Sequence, residues 1–384
     1  LYLNLIFLAL TVISTLTFIL TFFYITAVLF FRYGWLRIKS PGKTQDSPVT
    51  LVSILIAARN EEDKIRFTIE DILKQDYSKD LIELIVIDDH STDRTAEIIS
   101  GYAHAGVKLI RLNEDKPLNS YKKKAISEAI GISAGELIIT TDADCRMNNR
   151  WLSTIVSYYE HNQFKLISSP VVFFEEKSFF ERLQTLEFLY LIGLGAATIG
   201  NKKPSTCNGA NLAYRKDVFH ELKGFQGIDD LASGDDELFL HKVASRYPED
   251  IGFCKSFDAL VYTHAKPNIP EFISQRKRWA SKSTRYKDKK IVILGVSIWL
   301  FNLFIVLNAV LGFLYPGYWA VLLMVLIMKS LAEFSFLLPV TGFVKRKKLL
   351  KYLPLLTCMH TIYIIYIGIA GNSGKYIWKG RLVK

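Results

Sequence analysis

The sequence predicts an α/β domain, a mostly parallel sheet with helices on both faces, joined to several transmembrane α-helices. Three observations carry this. Short, fully apolar strands alternate with amphipathic helical segments between about residues 51 and 140, the pattern of a parallel sheet covered on both faces. Long apolar runs lie at both ends of the chain, each near the ~20 residues a bilayer crossing needs. Basic residues crowd where those runs meet the middle segment, the bias that marks a cytoplasmic face.

Taken in order, residues 1–31 hold no charge and read as a retained N-terminal transmembrane helix rather than a cleaved leader. Residues 32–48 form a basic juxtamembrane linker, with Arg32, Arg37, Lys39 and Lys43 beside Tyr33 and Trp35. Residues 49–290 have the mixed composition of a cytoplasmic domain. Within it, strands are expected at 51–58, 84–88, 107–112 and 136–140, and helices at 61–75, 93–102 and 121–133. Residues 179–200 are apolar on nearly all sides but carry Glu181, Arg182 and Glu187. They are expected as an amphipathic helix resting on the membrane or on later spans, with a buried domain helix as the alternative; a second interfacial helix is expected near 270–285. A dense basic run, Arg276 to Lys290, precedes the C-terminal membrane region at 291–374, with spans near 291–314, 319–344 and 352–370. In the middle one, Lys329 and Glu333 stand one helical turn apart, either a bundle-facing pair or an acceptor contact. The last run is expected to cross, although the basic tail at 375–384 would then lie on the wrong side for its charge; lying in or re-entering the interface is the alternative.

The polar clusters fall where strands end: Asn60–Glu61, Asp88–Asp89, and the DxD of Asp142 and Asp144. Open α/β sheets bind ligands at the carboxyl ends of their strands. Two carboxylates after an apolar strand suit a hard divalent cation held against a diphosphate. There is no GxGxxG and no P-loop, which disfavours a dinucleotide or ATP-hydrolysing fold. Four cysteines without CxxC spacing argue against structural zinc and redox chemistry. The net charge of +11 sits at membrane boundaries rather than on an aromatic-interleaved face, so no nucleic-acid partner is expected.

The ordered strings VSILIAARNEE, LIVIDDHSTDRT, ELIITTDADC, CNGANLAYRK, GDDE and QRKRW resemble the family 2 glycosyltransferases over about residues 52–279. That resemblance implies a GT-A fold, an inverting reaction, a nucleotide-diphospho-sugar donor with UDP the expected nucleotide, and Mn²⁺ or Mg²⁺. It implies that Ala57, Asn60 and Glu61 lie along the nucleotide, that Asp89 bonds the base, and that Lys122 meets the phosphates. Tyr121 replaces the family glycine before that lysine, so Lys122, Lys123 and Lys124 stay open as the one facing the donor. Asp142 falls on the diphosphate side, Asp144 on the metal, and His264 either on a late metal-side position or in a structural or surface role. Gly209, Ala210 and Asn211 fall beneath donor sugar and acceptor. Asp236 matches the base, with Asp235 beside it, and Gln275, Arg278 and Trp279 form QxxRW at the acceptor entrance.

The chemistry needs these groups independently of the resemblance. Sugar transfer to a hydroxyl takes a base at the nucleophile and charge stabilisation at the departing diphosphate. Asp235 is expected to raise the pKa of Asp236 by like-charge repulsion, or else to serve as a helix-start carboxylate. The expected function is single transfer to a membrane lipid or lipid-linked glycan, at the bacterial inner membrane with the catalytic domain cytoplasmic. The alternatives are a processive polysaccharide synthase, for which a homo-oligomer would widen the channel, and a catalytically inactive scaffold.

Overall fold

β-Rich apolar runs such as VSILIAA cannot satisfy their backbone alone and pair into a sheet, while the intervening segments cover its faces with their apolar stripes. The computed structural model describes residues 2–42, 48–113, 118, 120–371, 376–378 and 381–383. Lys43 of the linker and Lys375, Lys379 and Lys384 of the tail lie outside them. The elements run α1 (Tyr2–Arg37), β1 (Val52–Ala58), α2 (Ile65–Leu73), β2 (Ile82–Asp88), α3 (Thr95–Ser100), β3 (Lys108–Arg111), α4 (Tyr121–Ile132) and β4 (Leu137–Asp142). Next come β5 (Arg146–Met147), α5 (Trp151–Asn162), β6 (Leu166–Ser168), β7 (Val171–Phe173), α6 (Phe179–Gly200), β8 (Leu212–Arg215) and α7 (Lys216–Glu221). The chain continues through α8 (Glu237–Arg246), β9 (Ile251–Phe253), β10 (Val261–Thr263), α9 (Ile269–Ser281), α10 (Lys289–Leu314), α11 (Gly317–Phe343) and α12 (Leu353–Ala370).

Seven strands form one sheet in the order β3-β2-β1-β4-β8-β6-β9. β1 pairs in parallel with β2 and β4, and β2 with β3. β8 runs antiparallel to both of its neighbours, β4 and β6. The mostly parallel sheet expected from the apolar strands is therefore present, with one reversed strand. Its register sets Ala58 beside Asp88 and Ala57 beside Asp142, so three strands end at one edge. A smaller sheet, β5-β10-β7, stands next to it.

Among the described residues, five helices are long and apolar enough to cross a membrane: α1 from Leu10, α6, α10, α11, and α12 with the turn before it. The protein is integral to a membrane. α1 continues into the domain: Val28, Phe31 and Trp35 are buried in one core with α6, α11 and sheet residues. The approach of α1 to α6 depends on two glycines. A Cβ on Gly34 would lie 2.1 Å from the Ala197 carbonyl oxygen, and one on Gly200 would lie 2.2 Å from the Gly34 carbonyl oxygen.

α6 rests on a later span, one of the placements expected for it, and is buried as the alternative had it: Leu183, Leu186, Phe188, Gly195 and Ala196 all lie buried between the sheet and α1 and α11. Its start is capped by Ser178, whose Oγ accepts from Glu181 N at 3.1 Å, while the Glu181 carboxylate accepts from Lys177 N at 2.7 Å. α12, with the turn before it, is long and apolar enough for the crossing expected of it, and it also touches the domain. Tyr352, just before it, stacks edge-on against Phe179 at the start of α6. Gly371, just after it, abuts Ala280 near the end of α9. Between these ends Thr357 reaches Glu333, midway along α11, at 2.7 Å. Both ends of α12 thus rest on the catalytic domain.

Candidate active site

The carboxyl ends of β1, β2 and β4 open into a cavity of about 1510 Å³ that also meets α8, α9, α10 and α12. Ala57, Glu61, Asp89, Lys122, Asp142 and Asp144 line its sheet end. Asp89 is buried and contacts His90 Nδ1 at 3.0 Å. Arg59, which sequence reasoning passed over, clamps this corner by donating to the carbonyls of Asp89 (2.7 Å) and His90 (2.9 Å). Asn60 departs from expectation: it does not line the cavity. It adopts φ 50°, and its side-chain oxygen accepts from Thr92 N at 2.8 Å, tying two loops together.

The three lysines of α4 separate cleanly. Lys122 Nζ sits 2.8 Å from Asp142 Oδ1 and 3.2 Å from Asp235 Oδ2, facing the cavity. Lys123 turns inward and donates to the carbonyls of Ile228, Leu231 and Ser233 at 2.5–2.8 Å, pinning the segment before GDDE; burial lowers its pKa to about 8. Lys124 pairs with Glu128 one turn on. Burial alone would lower the Lys122 pKa, but Asp142 and then Asp235 outweigh it and raise it. The same pair reverses the effect of burial on Asp142, whose pKa is lowered.

Asp144 Oδ2 lies 3.6 Å from Lys64 Nζ and 3.5 Å from Thr263 Oγ1. His264 lines the cavity, but its ring packs on Phe174 at 4.5 Å. Among the described residues no group of three His, Cys, Asp or Glu is arranged to hold a metal, although His264 and Asp144 line the same cavity. The two carboxylates of the DxD stand at its open edge. That suits Mg²⁺ or Mn²⁺, which keep water and substrate phosphate oxygens among their ligands.

GDDE forms the middle of the cavity. Asp236 caps α8: Oδ1 accepts from Glu237 N at 2.6 Å, and Oδ2 accepts from Gly209 N at 3.1 Å. The close fit explains the glycine, since a Cβ there would come within 3.3 Å of Asp235 Oδ2 and Asp236 Cβ. Lys282 Nζ bridges Asp236 Oδ1 and Glu237 Oε2, each at 3.3 Å. The expected upward push from Asp235 on Asp236 is overruled. Burial does raise its pKa, but Lys282, the Glu237 N–H, Lys122 and the Gly209 N–H together lower it to about 2. Nor is Asp235 a helix-start carboxylate: α8 begins at Glu237, and Asp235 turns toward Lys122.

Asn211 is a second departure. Its amide nitrogen donates to the carbonyls of Pro170 (2.9 Å) and Ala259 (2.8 Å), and its oxygen accepts from Trp151 Nε1 (3.0 Å). Fully buried, it fastens the two sheets; Gly209 and Ala210 are the ones that face the cavity. In QxxRW, Gln275, Arg278 and Trp279 all line the cavity. Gln275 Oε1 accepts from Arg276 Nη1 at 2.6 Å, and Arg276 makes a buried ion pair with Glu187 of α6. The Arg276 guanidinium also lies 4.2 Å over the Trp279 ring. Arg276 therefore positions two of the three motif residues. Neither it nor Lys282 stood out within a long basic run.

A mixed sheet whose strand ends gather Asp89, Lys122 and a DxD, facing a capped carboxylate across one cavity, is a GT-A nucleotide-sugar transferase domain. Residues 53–223 of the chain match the model of glycosyl transferase family 2. Among curated proteins the chain is 26% identical over 313 residues to the probable glycosyltransferase YdaM of Bacillus subtilis, covering 70% of each chain. It is 30% identical over 112 residues to a beta-monoglucosyldiacylglycerol synthase of a Nostoc species, covering 29% of this chain and 24% of that one. Thus it spans about a quarter of the latter's length. Among solved structures, a mannosyltransferase from Pyrobaculum calidifontis in complex with GDP-Man and Mn²⁺ superposes with a TM-score of 0.55 at 18% identity, over 91% of this chain and 99% of that one. That likeness is one of fold. The chain is a sugar-transferring enzyme.

Proposed function

We propose that this enzyme moves a sugar from a nucleotide-diphospho-sugar to a membrane lipid or lipid-linked acceptor by a single inverting displacement. One observation carries the reading. The cavity that holds Asp89, Lys122 and the DxD at one end is lined at the other by Leu294 and Ile298 of α10 and by Ile364 and Ile367 of α12. Donor groups and membrane-helix side chains thus share one chamber, with Asp236 between them. The Nostoc relative, named for a glycolipid product, agrees with a lipid acceptor.

Asp89 would hold the base and Lys122 with Arg278 the diphosphate. Asp142 and Asp144 would hold Mn²⁺ or Mg²⁺, which when bound supplies charge stabilisation at the leaving diphosphate. An arriving diphosphate competes with Asp142 and Asp235 for Lys122. Drawing Lys122 away removes one of the cations that lower the Asp236 pKa, so Asp236 becomes a stronger base once donor is in place. Asp236 then accepts the acceptor hydroxyl proton as that oxygen attacks the anomeric carbon opposite the leaving group. The basic residues at 276–290 and 345–351 support a cytoplasmic catalytic domain at a bacterial inner membrane.

The test is to incubate the purified protein in vesicles with UDP- and GDP-sugars and measure nucleotide diphosphate release with and without added lipid acceptors. Release that rises with lipid, and label recovered in a lipid product of one added sugar, is the expected result. Label in long polymer would favour a processive synthase, and no release with any donor would refute the proposal.

A further inference from the structure

The charges along the membrane half of the cavity specify what kind of acceptor it takes. Each buried cation that lines it there is already matched to a carboxylate, Lys282 to Asp236 and Glu237 and Arg276 to Glu187. Lys329 of α11, which does not line the cavity, is likewise matched to Glu333 at 2.5 Å. Arg278 lines the same cavity and is committed, with Lys122, to the donor diphosphate in the reading above. Around the attacking position, the carboxylates Asp235, Asp236 and Glu237 are paired with the ammonium groups of Lys122 and Lys282. An anionic nucleophile such as a lipid phosphate would meet the Asp236 carboxylate and would have to break an existing ion pair to gain either cation. It would also have no use for a base. An uncharged alcohol meets neither penalty and supplies the proton that Asp236 takes.

The far end of the cavity is polar without spare charge. Tyr24, Tyr190 and His360 line it, and Tyr24 Oη donates to Glu333 Oε1 at 2.6 Å. Such groups suit a neutral carbonyl such as an ester. Beside them α10 and α12 present Leu294, Ile298, Ile364 and Ile367 to the same space. Gly295 opens onto it as well, and a Cβ at Gly295 would have no atom within 4 Å.

We infer that the acceptor is an uncharged lipid alcohol of the diacylglycerol kind, its hydroxyl at Asp236, its ester groups by Tyr190 and His360, and its chains between α10 and α12. This rests on the transferase reading above and narrows its acceptor.

The full-length protein in phosphatidylcholine vesicles would be given sugar-labelled UDP-glucose, UDP-galactose, UDP-N-acetylglucosamine and GDP-mannose, with either dioleoylglycerol or undecaprenyl phosphate. Label should enter dioleoylglycerol at least ~10-fold faster than undecaprenyl phosphate, the scale of one misplaced charge. Gly295→Phe should cut transfer to dioleoylglycerol by at least ~10-fold with nucleotide diphosphate affinity unchanged. Gly295→Leu, a smaller filling that also improves helix propensity, should give a smaller loss in the same direction. Equal or faster labelling of undecaprenyl phosphate overturns the inference, as do wild-type rates in both Gly295 variants. Donor cleavage that neither lipid accelerates overturns it too, while leaving the transferase reading standing. If no donor is cleaved at all, that reading falls first and the inference with it.

Discussion

Lys282→Met should move the acid limb of the enzyme's pH–rate profile upward, because Lys282 is the strongest single influence keeping Asp236 ionised. Opposite charges 3.3 Å apart in a medium of effective permittivity ~20 attract by about 5 kcal/mol. Desolvation offsets most of that, and a carboxylate beside one fixed cation is lowered by ~1–3 pKa units in practice. Asp236 stands at about 2 against an ordinary 3.8, so without Lys282 it should rise to ~3–5. The assay is nucleotide diphosphate release at subsaturating acceptor across pH 4 to 9, where the acid limb reports the free enzyme's base. The wild type should show no limb of Asp236 above about pH 4, and Lys282→Met should show one. Lys282→Arg, which keeps the cation, should restore the wild-type profile. The stability sign follows from the same shift. A folded pKa below the unfolded one adds stability that is present above pH ~4 and lost as pH falls through about 2. Lys282→Met should therefore lower the melting temperature at pH 7 more than at pH 4. An acid limb unmoved in Lys282→Met would refute the reasoning, because the base would then not be the carboxylate that Lys282 holds.

Three further outcomes follow from the same geometry. Asp236→Asn keeps an oxygen for the Glu237 and Gly209 N–H groups but removes the proton acceptor, so turnover at saturating substrates should fall ~100-fold or more with donor affinity retained, while Asp235→Asn, which takes a competing anion off Lys122, should lose much less turnover and lower the donor KM. Asp144→Asn should raise the Mn²⁺ concentration needed for half-maximal activity by ~10-fold or more, and full activity of the wild type in EDTA would count against any cation at Asp142 and Asp144. Cysteines placed at exposed Ser40 and Tyr315, after the native four are replaced, should react with an impermeant thiol reagent from opposite faces of sealed vesicles; labelling from one face only contradicts the orientation.

What the sequence disclosed and what it hid divide along the range of the interaction. Strand ends are local: an apolar run closing in Asp88–Asp89 or in Asp142 announces its own polar terminus, and the sheet register then gathers those termini at one edge. Helix faces on a sheet are nearly as local, which is why α4 is legible in the sequence while the directions of its three lysines are not. Lys122, Lys123 and Lys124 differ only in where the rotation of one helix turn sends them, and that rotation is fixed by carbonyls more than a hundred positions away. Lys282 and Arg276 were hidden for a different reason. A membrane protein must collect cations at its cytoplasmic boundary, so a cation serving the site there looks like one serving the lipid. Asn211 erred in the opposite direction: a polar residue inside a motif string invites a catalytic role, yet all its hydrogen-bonding groups are spent holding two sheets together. The physical criterion that sorts these cases is pairing. A buried polar group whose partners are all backbone or a distant side chain of the core is structural, whereas Asp236 with Lys282, and Lys122 with Asp142 and Asp235, form ion pairs at the edge of a cavity. Charges balanced in that way can be redistributed when a diphosphate enters, and the site's chemistry depends on that redistribution.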